Sequence, residues 1–145
     1  MKRSAFLIGL TSLVFAAGLQ AHGSPLEYRQ GAMNLLAWNM KPMGRMVKGE
    51  MSFDKAVFKR HADDLTAVVH LDLLSGFPDD SDSGETDALP DIWLDFEDFT
   101  AKYRDMQKAA KTLSKAAAGG DMEKIKPAFG ALGKSCKACH KPYRN

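Results

Sequence analysis

Apolar residues return every three or four positions along most of the chain, and the rhythm breaks only where turn-forming residues gather. Leu26, Arg29, Met33, Leu36, Met40, Met43 and Val47 step at 3-4-3-4-3-4, which predicts a helix over residues 25–48, stopped by Gly49. One member of that stripe, Arg29, is charged, so a core face here needs something to neutralise it. Ser52 is the candidate cap of a second helix reaching about residue 74, with Phe58, Ala62, Leu65 and Val69 on its inner face. The third stripe is the clearest. Ile92, Phe96, Phe99, Tyr103, Met106, Ala110, Leu113 and Ala117 alternate steps of four and three until Gly119-Gly120 ends them. Asp121 caps a fourth helix with Ile125, Phe129, Leu132, Cys136, Cys139 and Tyr143 on one stripe. Pro42 predicts a kink in the first helix, and Pro127 moves the regular start of the fourth to near Lys126.

Nothing alternates with the period of a strand. Four amphipathic helices with short connections and one longer loop predict an all-α fold, an antiparallel four-helix bundle. The longer loop, residues 75–90, carries Asp79, Asp80, Asp82, Glu85 and Asp87 and no basic residue. Its ordinary reading is a solvated crossover. The acid spacing does not fit an EF-hand calcium loop, and a docking patch for a basic partner is the function-facing alternative.

Chemistry enters at the end of the fourth helix. Cys136-Lys137-Ala138-Cys139-His140 reads C-x-x-C-H, the attachment pattern of c-type haem. Two thiols add across the two vinyl groups of the porphyrin, and the following histidine becomes the proximal iron ligand. On a helix these positions are related by i, i+3 and i+4, so all three side chains leave one face. They are the only two cysteines in the chain, which leaves none for a structural disulfide. A thioredoxin-like dithiol wants a βαβ context, and a zinc site needs four ligands, for which only His22, His61 and His70 remain as other histidines. One haem c, held covalently through Cys136 and Cys139 near the C-terminus of the bundle, is the prediction.

The N-terminus agrees. Met1-Lys2-Arg3 precedes an apolar stretch over 5–19 and an acceptable cleavage site at Leu19-Gln20-Ala21. Residues 1–21 read as a secretory signal peptide, too short for a membrane span, and 22–145 as a single domain. Covalent haem attachment takes place on the exported side of the bacterial membrane, so the periplasm is the expected location. The chain has 20 Lys and Arg against 18 Asp and Glu, and losing Lys2 and Arg3 balances them. Net charge therefore gives no support to nucleic-acid or membrane-surface binding.

With these residues in view, the chain resembles the class II c-type cytochromes, the cytochrome c′ family. Tyr28-Arg29-Gln30 opens the first helix in the family manner and Met46-Val47-Lys48-Gly49 closes it. Leu89-Pro90-Asp91-Ile92-Trp93 is similar to the family's entry to the third helix. Ala128-Phe129-Gly130 and the run from Gly133 to His140 are similar to its final helix. The resemblance implies that Arg29 and Gln30 contact a haem propionate, which accounts for the charge on the inner stripe. It also implies that Asp87 lies near the propionates and Arg144 near the proximal face. Pro42 and Pro127 depart from the commonest pattern.

The same resemblance places Met33 over the distal face of the iron. If Met33 and His140 ligate together, both axial sites are filled, the reduction potential rises and single-electron transfer to redox partner proteins is the expected function. If Met33 only packs, as a stripe with Met40 and Met43 suggests, the iron is five-coordinate and open to NO or CO. The first is the main expectation and the second its alternative. Peroxide reduction has no candidate distal histidine, because His61 and His70 belong to the second helix, so no enzyme activity is expected. The resemblance further implies a homodimer through the first two helices, with Trp38 and Phe53 as candidate contacts; Trp38 packing along its own bundle is the other reading.

Overall fold

A computed structural model describes residues 23–145, so the signal-peptide segment and His22 lie outside the described residues. Helices α1 (Pro25–Val47), α2 (Lys55–Val68), α3 (Asp91–Leu94), α4 (Phe96–Gly119) and α5 (Met122–Tyr143) follow one another, with a 3-10 turn at Leu73–Gly76. The four long helices form the bundle. α4 packs on α5 and α2, and α1 on α2 and, less extensively, α5. No helix among the described residues is long and apolar enough to cross a membrane.

The helix starts follow local chemistry. Ser24 and Glu27 form a capping box on α1, the Glu27 carboxylate accepting the Ser24 N–H at 2.7 Å and the Ser24 hydroxyl accepting the Glu27 N–H at 3.2 Å. α2 starts from Asp54 rather than Ser52. The Asp54 carboxylate accepts the Val57 N–H at 3.0 Å, and a negative charge suits that end of the helix dipole. α2 also stops at Val68, short of residue 74. Past that point α4 supplies the donors: the Tyr103 hydroxyl reaches the Val69 and Leu71 carbonyls at 2.8 and 2.9 Å, and the Gln107 amide reaches Val69 at 2.7 Å. The third stripe is likewise divided. Asp95 leaves helical geometry and caps α4 by accepting the Asp98 N–H at 3.1 Å, so Ile92 belongs to a separate short turn and Phe96 stays 38% exposed.

Pro42 and Pro127 lie inside helices that continue through them, and α5 begins at Met122, four residues before the start expected from Pro127. The carbonyls that Pro42 and Pro127 leave without a helical donor belong to Trp38 and Glu123, both exposed, so water can take them. The buried line of α1 is Arg29, Ala32, Asn39, Met43 and Met46, turned by about one residue from the apolar stripe. Met33 is 40% exposed, while Leu36, Met40 and Val47 flank the core. The turn follows the packing on α2, where the Asn39 carboxamide oxygen meets His61 Nδ1 at 2.9 Å.

Two apolar clusters result. The larger is centred on Met43, Phe58, Leu65, Leu113, Ile125 and Leu132; the smaller joins Phe77, Ile92, Phe99 and Tyr143. Cys136 packs against the first and Cys139 against the second, so the C-x-x-C-H turn lies where the two meet.

Candidate haem-binding site

The last two turns of α5 present Cys136 and Cys139 half-buried and His140 exposed. Burial raises the Cys136 thiol above its ordinary range, and burial with help from Cys136 pushes Cys139 up to about 11. The free thiols are therefore neutral groups in an apolar seat. Among the described residues no group of three or more His, Cys, Asp or Glu side chains is arranged to hold a metal ion. Partial desolvation of a ring that stays open to solvent, and then the Arg144 charge, lower the His140 imidazole, which favours the neutral ring that an iron ligand must present.

The turn is tied to α4. The Tyr143 hydroxyl donates to the Asp98 carboxylate at 2.6 Å, and its ring meets Phe99 edge-on at 5.4 Å. Asp98 also accepts from Lys102 at 3.1 Å; the Tyr143 hydrogen bond first, then Lys102, holds its carboxyl below the usual range.

Arg29 reaches the same end of the molecule from α1 and is only 4% exposed. Nη1 donates to the Gly76 carbonyl at 3.1 Å and the Ser81 hydroxyl at 3.2 Å, and Nη2 donates to the Ser81 carbonyl at 2.7 Å. The guanidinium carbon lies 5.3 Å from the Phe77 ring centroid and 5.5 Å from that of Trp93. Burial lowers its pKa and the nearby Asp82 charge opposes that shift. One polar atom is left over: Nε is buried with no hydrogen-bond partner among the described residues. Gln30, next along, donates to the Glu85 carbonyl at 2.8 Å. Asp87 accepts from Arg144 through Nε at 3.1 Å and Nη2 at 2.8 Å. His61, on α2, meets Asn39 of α1, and His70, two residues past the end of α2 rather than on it, meets the Thr66 carbonyl.

The crossover segment is thus where the site residues meet. Arg29 and Gln30 hold it from α1, and Asp87 joins it to the end of α5. Met33 stands one turn past Arg29 on α1. Phe77, Ser81 and Asp98 complete this end without having been singled out from the sequence. The Asp98–Lys102 spacing of four is a visible signal for one of them; for Phe77 and Ser81, lone residues in a loop, there is none. Two neutral thiols at the junction of two apolar clusters, a neutral imidazole beside them and a buried guanidinium with a free N–H fit a flat apolar group bearing carboxylates.

Comparison with known proteins gives the same group. Residues 24–144 match the family described as Cytochrome C′. A cytochrome c′ from Halomonas halodenitrificans is 37% identical over 125 residues, covering 82% of this chain and 94% of that one. The solved cytochrome c′ of Shewanella frigidimarina is 41% identical with a TM-score of 0.80, covering 86% of this chain and 98% of that one. A nitric oxide complex of a leucine variant of cytochrome c′ from Alcaligenes xylosoxidans is 36% identical with a TM-score of 0.76, covering 85% and 98%. One haem c is bound covalently through Cys136 and Cys139, as in the C-x-x-C-H motif. By this match, which spans nearly every described residue, the chain belongs to the cytochrome c′ family.

Proposed function

We propose that this protein is a periplasmic haem protein that takes NO or CO at the open distal side of a five-coordinate iron, with His140 as proximal ligand. The observation that carries the reading is the structural likeness, at 36% identity, to a Leu-to-Ile variant of cytochrome c′ solved as its nitric oxide complex. When bound, the haem supplies the iron that receives the diatomic ligand. The chain supplies the rest: Cys136 and Cys139 anchor the group, and His140 offers a neutral ring nitrogen. Arg29 keeps one buried N–H for a propionate oxygen. Gln30 and Asp87 spend their side chains on the crossover segment and on Arg144, so their part is to hold the walls of the site.

Electron transfer through a His140/Met33-ligated iron is the second reading. It is favoured by the place of Met33, a thioether one turn past Arg29. The two separate on one variant. Met33→Leu leaves the absorption spectrum of the ferric and ferrous holoprotein unchanged if Met33 only packs. Conversion from a low-spin to a high-spin spectrum would instead make Met33 the sixth ligand.

The outer face of α1 offers an exposed apolar surface, where Trp38 is 73% exposed and Leu35, three residues earlier, 50%. We assign this face to a homodimer contact. Trp38→Asp is expected to weaken the dimer at least ~10-fold in sedimentation equilibrium; an unaltered constant would place Trp38 outside the contact.

A further inference from the structure

His140 lies in a helical turn that its own backbone does not fully hold. Pro142, two residues on, has no N–H to give to the Ala138 carbonyl, so the ladder of α5 is interrupted beneath the ligand. The final backbone bond of the helix is Arg144 N–H to the His140 carbonyl at 3.0 Å, and helix ends fray when nothing else holds them. Beside the Tyr143 contacts with α4, this end is held by the crossover segment. The Leu89 N–H donates to the Tyr143 carbonyl at 3.0 Å, and the Asn145 N–H to the Asp87 carbonyl at 2.8 Å. The Arg144 guanidinium closes the contact on the Asp87 carboxylate through two nitrogens. Ala88 and Arg144 form the one isolated β-bridge among the described residues.

Asp87 contributes to this junction with both its side chain and its carbonyl. Its own segment is anchored further back on α1, by Gln30 at Glu85 and by Arg29 at Gly76 and Ser81. The strap therefore joins the helix that carries Met33 to the turn that carries His140. We propose that Asp87 is a positioning residue for His140, fixing through Arg144 and Asn145 the orientation of the last turn of α5. The Asp87–Arg144 pair is exposed, with side-chain exposures of 62% and 54%, and exposed pairs contribute little to global stability. Its effect belongs to the geometry of the turn. This inference rests on the reading of His140 as an iron ligand.

The test is the proton NMR spectrum of the ferric holoprotein carrying labelled histidine, in which the ring of an iron-bound histidine stands apart through its hyperfine shift. Asp87→Ala is expected to displace the His140 ring resonances, and Asp87→Glu to return them toward their original positions. Arg144→Gln removes the same pair from its other side and must displace them too, which keeps the test intact if one variant loads haem poorly. Asp105→Ala breaks a comparably exposed pair, Asp105–Lys108, away from the strap and must leave them in place. Unmoved resonances in Asp87→Ala and Arg144→Gln, or an equal displacement in Asp105→Ala, would overturn the proposal. A wild-type spectrum without any hyperfine-shifted histidine would instead overturn the ligand reading, and this inference with it.

Discussion

Arg29 carries a charge into an apolar end of the molecule, at a cost that its surroundings offset. Three hydrogen bonds to loop oxygens and two aromatic faces replace the water that burial removes. Lysine would keep the charge but lose the planar fork that reaches Gly76 and Ser81 together. Asp98 makes a different residue-scale prediction. Its folded pKa is lowered, so the stability it contributes is present above the unfolded carboxylate value near ~3.9 and is lost as pH falls through the folded value. The wild-type protein is expected to lose melting temperature between about pH 5 and about pH 3, and Asp98→Asn to lose less over that interval, in thermal scans at both pH values. Equal losses would mean that the Tyr143 and Lys102 contacts do not survive in solution. At this scale the sequence is legible where chemistry is local. Cys136, Cys139 and His140 share one helical face by spacing alone, and haem attachment could be read from them. The Phe77–Arg29–Trp93 cage joins three residues far apart in the chain, and no periodicity announces a partner contributed by a loop.

At the scale of elements, Gly120 limits how α4 may end. It adopts φ +74°, and a Cβ there would lie 2.5 Å from the Lys55 side chain at the start of α2. Gly120→Ala is expected to cost roughly 1–2 kcal/mol in urea unfolding, from the left-handed backbone together with displacement of Lys55. A cost near zero would mean that the α4–α5 turn rearranges freely. The four stripes made the long helices readable, since each helix must bury one face over its whole length. Their ends were less so. Asp95 breaks the third stripe because a side-chain cap competes locally with a continuing helix, and the pattern of apolar residues does not record that competition. α2 ends early because donors from Tyr103 and Gln107 arrive from α4, which only the assembled bundle provides. The one-residue turn of α1 has the same origin: Asn39 is buried because it meets His61, and a hydrophobic pattern cannot rank a polar residue as core.

Across the whole molecule, the bundle delivers two helix segments to one end, and the crossover segment ties them together there. Of the 18 acidic residues, twelve fall between His61 and Ala101, a stretch without Lys or Arg, so the charge along the chain is strongly segregated despite the near-balanced total. Family membership accounts for the covalent haem, and function turns on the far side of its iron. The most direct test is the absorption spectrum of the reduced holoprotein before and after addition of CO. An open distal side predicts a broad high-spin spectrum that shifts promptly to that of a CO complex. A low-spin spectrum with split visible bands, unmoved by CO, would contradict the gas-binding account and make Met33 the sixth ligand of an electron carrier.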